Sequence, residues 1–351
     1  MTAVQQVEAS TLRRVEDATH ARIDPALAGR IADLRTWIGA DLADVDAALG
    51  ALEVKPTPMH GAAQHLLALG GKRLRPLCVA LSASAGTGFD ARGKDLAVAA
   101  ELVHSATLLH DDVVDLGDRR RGAPTSRAIY GNLAAVYAGD WLLVEALRRI
   151  RRAQFPELLD RALDTLDEML QGEALQLTLR ATVPSREAYF EVVRGKTASL
   201  FRWAFAAGAR AGGLDARAGE ALENFGTSLG VAFQVADDLL DVAGEAAVSG
   251  KALFSDLREG KLTYPMLLAV ERDPGFAEWL RARVAEPVVD VDAGAAARVQ
   301  SVLRDTAAVA DARALVRSLS EEALASLAAV PDGRARAALA DVAASLMNRK
   351  S

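Results

Sequence analysis

Two five-residue runs concentrate the chemistry of this chain: Asp111-Asp112-Val113-Val114-Asp115 and Asp237-Asp238-Leu239-Leu240-Asp241. On a helix, the first and last aspartates of each run share one face. Three carboxylates packed so closely repel one another by roughly several kcal/mol in a partly dry site, so they call for a cation or for open water. A single run of this kind reads equally well as a solvated helix end. Two runs with the same spacing, both set among apolar residues, point to a cation-binding role instead. Hard oxygen donors that leave coordination sites open suit Mg²⁺, which keeps waters and bridges carboxylates to substrate phosphates. Neither run has the glycine and spaced ligands of an EF-hand. Helices that faced each other across a cavity would hold several Mg²⁺ ions on one diphosphate and stabilise a departing pyrophosphate.

Basic segments supply what a second anion needs. Gly70-Gly71-Lys72-Arg73-Leu74-Arg75-Pro76 sets three cations behind a glycine turn at a helix start, although taken alone it is also a plain surface turn. Asp118-Arg119-Arg120-Arg121-Gly122 follows the first acid run within a turn or two, and guanidinium groups can fork phosphate oxygens. Gly195-Lys196-Thr197 is no P-loop, because Phe190 stands where that motif needs glycine and Ala188 to Leu200 reads as helix rather than strand and loop. Glu101-x-x-His104 occurs once, whereas a di-iron bundle needs two copies. Lys251 and Lys261 flank Asp256, and either reads as a solvated surface charge when taken alone.

The elements that must carry these groups are helical. Alanine and leucine fill long stretches between charged positions, aromatic residues make up 5%, and few segments alternate with period two. Residues 1–24 read as a mixed-charge extension, and 25–351 as one all-α domain. A helix is predicted from Pro25 to about Leu52, with Pro56 and Pro58 stopping regular structure. Further helices are predicted from Met59, through Ser84 after the glycine break, from about Lys94 into Asp115, and from Thr125, Glu157, Arg186, Ala216 and Lys261. A turn is predicted over Gly117 to Pro124, with loops at Pro274 and Pro287. A net charge of −6 argues against a nucleic-acid footprint. The lone Cys78 excludes an intrachain disulfide and reads as a buried small residue. With no apolar leader and no run of about 20 apolar residues, a cytoplasmic protein without an integral membrane segment is expected.

Together these segments resemble the trans-isoprenyl diphosphate synthase, or polyprenyl synthetase, family from about Ala62 to Leu268. The likeness rests on Gly71-Lys72-Arg73-x-Arg75-Pro76, Glu101-x-x-His104, Leu108 to Asp115 with Arg120-Arg121-Gly122, Gly172-Glu173-x-x-Gln176, Lys196-Thr197, Phe233-Gln234-x-x-Asp237-Asp238-x-x-Asp241 and Asp256-Leu257-x-Glu259-Gly260-Lys261. It implies an all-α, single-domain bundle of the isoprenoid synthase type around a deep central cavity, working as a homodimer. It further implies that Asp111, Asp112, Asp115, Asp237, Asp238 and Asp241 hold Mg²⁺, with three ions expected. Lys72, Arg75, His104 and Arg121 would bind isopentenyl diphosphate. Arg120, Lys196, Thr197, Gln234, Lys251 and Lys261 would grip the allylic diphosphate. The residues most directly engaged in catalysis would be the three aspartates of the first run with Arg120, Lys196, Asp237 and Lys251.

Product length follows, in such enzymes, from bulk on the helix before the first acid run. Here Thr107 and Ala106 occupy the positions four and five before it, and Val103, Ala100 and Ala99 continue the face, all small or medium. No large side chain interrupts roughly 16 Å of helix at about 1.5 Å per residue. A long product, C30 to C50 and of the kind that feeds quinone side chains, is therefore expected, possible peripheral contact with a bilayer aiding its release. Shorter-chain synthesis, and small residues that merely permit close helix packing, stand as the alternatives. A class I terpene cyclase is disfavoured by the second full aspartate triplet and by the Lys72 to Arg75 loop. A non-catalytic partner subunit is disfavoured because both triplets are intact. The stretch Ala252-Leu253-Phe254 departs from the flexible loop usual in the family, which bears on the role of Lys251.

Overall fold

A computed structural model describes residues 25–243, 253–285 and 291–347. The 1–24 extension, Lys251 and Pro287 lie outside them. The described residues are almost wholly helical, as expected, and the helical ends follow local chemistry.

Helix α1 spans Pro25–Gly50. Helix α2, Pro58–Ala68, begins at the proline that the sequence suggests as a stop: Thr57 caps it by accepting from the His60 N–H, and Pro58 sits in the first turn. A first-turn residue has no intrahelical use for its N–H, so proline starts a helix more readily than it continues one. Helix α3, Leu74–Ser84, follows the glycine break, with Arg73 in the left-handed region at φ 47°. Helix α4, Ala91–Val114, starts earlier than expected because Asp90 accepts from the N–H groups of Arg92 and Gly93.

The turn after α4 contains a short antiparallel hairpin, β1 (Arg119–Arg120) and β2 (Ala123–Pro124). The helix expected from Thr125 is two pieces, α5 (Ser126–Tyr130) and α6 (Asn132–Arg152), parted by Gly131 at φ 84°. Helix α7 covers Pro156–Leu179, α8 covers Arg186–Val193, and α9 covers Ser199–Ala211. Between α8 and α9 runs one π-helical turn, Arg194–Ala198. Helix α10, Ala216–Ala243, is the longest. The segment near Lys261 holds a short α11 (Ser255–Arg258) and then α12 (Tyr264–Arg272), so Lys261 lies in the turn before a helix, not at its start. Helices α13 (Pro274–Val284), α14 (Ala293–Asp305), α15 (Ala308–Ser326) and α16 (Arg334–Met347) complete the described chain.

The apolar faces bury into two clusters that meet along α10. Ala221, Leu222, Phe225, Leu229 and Ala232 join a cluster built with α1 to α4, α6, α7 and α9. Val231, Val235, Leu239 and Val242 join a second cluster built with α8 and α12 to α15. One helix shared by both cores fixes the second acid run relative to the first. No helix among the described residues is long and apolar enough to cross a membrane. Cys78 is buried, and burial pushes its thiol up to about 12, in keeping with an inert core residue.

Candidate active site

The first acid run closes α4, and each carboxylate meets a different cation. Asp112 is buried and accepts from Arg120 Nε at 3.0 Å and Nη2 at 2.8 Å. Asp115 takes Lys261 Nζ at 2.8 Å and is ion-paired with Arg180. Burial opposes its charge, but Lys261 and Arg180 outweigh that and hold the carboxyl below its usual range. Asp111 meets its cation less closely, with Lys196 Nζ at 3.8 Å. Burial pushes Asp111 up to about 6, opposed by Lys196 and Lys261 and aided by the like charges of Glu173 and Asp115.

Lys196 owes its position to the π turn and to two glycines. A Cβ on Gly172 of α7 would lie 2.8 Å from Lys196 N, and one on Gly195 would lie 2.7 Å from Glu168 O, so α7 and the π turn touch backbone to backbone. Lys196 then reaches Gln176 Oε1 at 3.0 Å and pairs with Glu173. This contact explains why Gly172-Glu173-x-x-Gln176 and Gly195-Lys196-Thr197 occur in one chain. An inserted π turn re-aims successive side chains, a device frequent at functional sites. It sends Thr197 the other way, donating to Gln234 Oε1 at 3.0 Å on α10.

The second acid run is thus tied to the first through adjacent residues, Lys196 and Thr197. Asp238 is 3% exposed and accepts from Tyr189 Oη at 2.6 Å, Tyr264 N at 2.9 Å and Gln234 Nε2 at 3.0 Å. Burial pushes its carboxyl up to about 6 despite these donors. The same burial, beside Asp238, drives the Tyr189 hydroxyl well above its usual range. Asp241 accepts from the Ser255 N–H at 2.8 Å and the Ser255 hydroxyl at 2.7 Å, which fixes the start of α11. Asp237 is half-buried on α10 and within electrostatic reach of Arg75. A cavity of about 150 Å³ lies between the π turn, α10 and the Gly260–Thr263 turn; Gln176, Arg180, Lys196, Thr197, Gln234, Asp238 and Lys261 line it.

A second basic group sits where the glycine loop meets the hairpin. A side chain on Gly71 would strike the Arg121 guanidinium at 3.1 Å, so Arg121 lies against the loop that carries Lys72. Arg75 stacks over Phe201 at 4.7 Å. Burial, together with Arg75, Arg121, Arg120 and Arg73, holds the His104 imidazole well below its usual range, so it is neutral at pH 7. Arg73 departs from its expected place among three phosphate-facing cations. It turns inward, 7% exposed, and bonds Asp46 and Glu101 at 2.6 Å each, where a charge buried between two carboxylates serves to hold the loop.

Sequence reasoning did not assign roles to Gln176, Arg180 or Tyr189. For Gln176 the signal was its i,i+4 relation to Gly172; for the other two no local signal exists. Lys251 lies outside the described residues. Ala106, Ala99 and Ala100 have no exposed surface and belong to the core that α4 forms, Val103 is 4% exposed, and Thr107 donates to His104 O at 2.8 Å.

Among the described residues no three His, Cys, Asp or Glu side chains gather as a ready metal centre. The donor chemistry nevertheless fits a hard divalent ion: Asp111 is kept from full acidity by burial and two neighbouring acids, a deficit that added positive charge would relieve.

The Polyprenyl synthetase family pattern matches residues 56–297. A heptaprenyl diphosphate synthase component 2 of Geobacillus stearothermophilus is 36% identical over 311 residues, 88% of this chain and 95% of its own. A short chain isoprenyl diphosphate synthase of Methanothermobacter thermautotrophicus is 35% identical over 225 residues, 63% of this chain and 69% of its own. Among solved structures, a polyprenyl synthase of Caulobacter crescentus complexed with calcium and isoprenyl diphosphate superposes with a TM-score of 0.85 at 33% identity, covering 91% of this chain and 97% of that one.

Proposed function

This chain belongs to the polyprenyl synthetase family and is a trans-prenyl diphosphate synthase, and from that premise we propose that it builds a long-chain product, C30 to C50, by magnesium-assisted ionisation. The observation that carries this reading is one cation-walled cavity, lined by Asp238 of the second run and by Lys196, Arg180 and Lys261, which pair with Asp111 and Asp115 of the first. Asp111, Asp115 and Asp237 are the residues best suited to hold Mg²⁺, with Asp112, Asp238 and Asp241 supporting them from buried or bonded positions. Bound Mg²⁺ supplies Lewis-acid neutralisation of the allylic diphosphate and of the pyrophosphate that leaves.

The chain's own residues do the rest. Lys196, Arg120, Thr197, Gln234 and Lys261 hold the allylic diphosphate, with Lys251 joining them from outside the described residues. Arg75, Arg121, Lys72 and the neutral His104 hold isopentenyl diphosphate, whose double bond then faces the allylic C1. The C1–O bond breaks with its electron pair leaving on pyrophosphate, the isopentenyl π pair forms the new C–C bond, and a proton departs to the pyrophosphate. No serine or cysteine nucleophile is required, consistent with an inert Cys78. Apolar walls keep water from the cation.

One observation supports a long product: the face of α4 before Asp111 carries no large side chain. Each added isoprene buries five carbons, about 3–4 kcal/mol if fully desolvated. The test incubates purified protein with Mg²⁺, radiolabelled isopentenyl diphosphate and single C5 to C20 primers, then sizes the products; no elongation of any primer rejects the reading. Ala106→Phe should shorten the products, and an unchanged spectrum would move the length control elsewhere.

A second copy of this chain is the partner we favour. Leu133, Tyr137 and Val144 are exposed along one face of α6, and Leu163, Leu170 and Leu177 recur every seven residues on α7. Apolar side chains aligned in this way mark a contact surface. The Geobacillus relative is named as one component of its synthase, so light scattering of the purified chain is the deciding measurement: a monomer would favour an unlike partner. The reading includes a cytoplasmic enzyme that hands an apolar product to a bilayer without an anchor.

A further inference from the structure

Two turns that are far apart in sequence deliver cations to the same carboxylate. Helix α7 ends at Leu179, and Arg180 follows as its cap, with Ala181 in the left-handed region at φ 60°. A non-glycine residue pays roughly 1–2 kcal/mol for that backbone, so the turn is held by its surroundings. It meets the Gly260–Lys261 turn, where a Cβ on Gly260 would lie 3.6 Å from Ala181 N. From one turn Arg180 Nη2 pairs with Asp115 Oδ1, and from the other Lys261 Nζ reaches Asp115 Oδ2 at 2.8 Å. Both cations line the cavity, as does Lys196.

Arg180 differs from its neighbours in what it leaves unmade. Its Nε is buried with no hydrogen-bond partner, while its side chain keeps a quarter of its surface open. A buried guanidinium N–H without an acceptor is costly, and the nearest remedy is an anion in the cavity it lines. The fork geometry of guanidinium suits two phosphate oxygens better than one carboxylate oxygen.

We infer that Arg180 is a further binding residue for the allylic diphosphate, contributing a guanidinium fork from the end of α7 beside Lys196 and Lys261. The inference rests on the synthase reading above and extends it to a residue outside the motifs that carry the family resemblance. Asp115 is then a resting partner, which holds the guanidinium at the cavity wall until a diphosphate takes its place.

The test uses the full chain and measures calorimetric binding of inorganic pyrophosphate, and of an allylic thiodiphosphate that does not ionise, in the presence of Mg²⁺. Arg180→Ala should weaken both by roughly tenfold or more, the usual worth of a charge-assisted contact. Arg180→Lys should recover part of the loss, having the charge without the fork. The same factor should be lost in an Asp115→Asn background, and the KM for isopentenyl diphosphate should not change. Binding within about twofold of wild type, or a loss that vanishes once Asp115 is substituted, would mean that Arg180 serves only to hold Asp115, and the inference falls. Should Arg180→Ala fail to fold, Arg180→Gln takes its place in the same measurements. A wild-type chain that binds pyrophosphate through Arg180 yet elongates no primer would sink the synthase reading and leave the Arg180 contact standing.

Discussion

The two acid runs share one spelling and have different surroundings. At the end of α4 the carboxylates meet full charges: Arg120 on Asp112, Lys261 and Arg180 on Asp115, and Lys196 near Asp111. On α10 neutral groups donate to the carboxylates: a tyrosine hydroxyl, a glutamine amide and a backbone N–H to Asp238, and a serine hydroxyl and N–H to Asp241. Asp115 is accordingly held below its usual range while Asp238, equally part of an Asp-Asp-x-x-Asp run, is pushed up to about 6. Spacing fixes which aspartates share a face; burial raises their carboxyls, and only where full charges such as Lys261 and Arg180 converge, as on Asp115, is that outweighed. The first run is built around a balance of full charges, each carboxylate facing a Lys or Arg. The second is built around a fixed frame, with Asp238 and Asp241 anchoring α12 and α11 against α10.

The largest break of this comparison is expected at the carboxylate with the least compensation in the first run. Asp111→Ala should lower kcat by about 10²–10³, the scale of losing one preorganised electrostatic contact, with little change in thermal stability. An activity within a few-fold of wild type, measured by radiolabel incorporation, would remove Asp111 from the chemistry. Next, Arg120→Ala leaves Asp112 buried without its cation and should cost about 3 kcal/mol of stability, seen as a lower denaturant midpoint at unchanged slope. A shift well under 1 kcal/mol would show that Asp112 finds water or another donor.

The pH dependence separates Asp238 from Asp115 by sign, while Asp111 of the first run shares the upward shift of Asp238. Asp238 has a folded pKa of about 6, above its ordinary 3.8, so between those values the folded state holds the extra proton. Its contribution is therefore fully present below the ordinary value and is lost as pH rises through about 6. Asp115, with a lowered pKa, contributes stability that is present above its ordinary value and lost as pH falls through its folded one. In metal-free buffer, Asp238→Asn should abolish a stability loss of up to about 3 kcal/mol that wild type shows between about pH 4 and pH 6. Parallel stability curves for the two proteins would refute the assignment.

The smallest effect should come from Tyr189→Phe, which takes one neutral donor from Asp238. About 1–2 kcal/mol is expected by thermal or chemical unfolding. A cost matching that of Arg120→Ala would erase the distinction drawn between a charged frame and a neutral one.

Local chemistry made much of the fold legible. Alanine-rich helices, the glycine break before Leu74, the turn after Asp115 and the absence of a P-loop all follow from propensity and spacing, which act within a few residues. Errors fell at helix ends, where one capping contact decides: Thr57 made Pro58 a start, Asp90 moved α4 forward, and Gly131 split a predicted helix in two. The π turn at Arg194–Ala198 was invisible for a related reason, since it depends on Gly172 and Gly195 letting two backbones touch.

By itself the sequence determined the donor types, their faces on each helix and the family, because period and composition are properties of short segments. Only the tertiary structure decided how those donors are employed. Arg73, one of three cations in the glycine loop, became an internal strut because Asp46 and Glu101 arrive from elsewhere in the chain. Arg180, in no motif, reached the cavity wall because the end of α7 folds against the Gly260 turn. Electrostatic roles depend on distances and desolvation between segments remote in sequence, and those quantities exist only once the chain has packed.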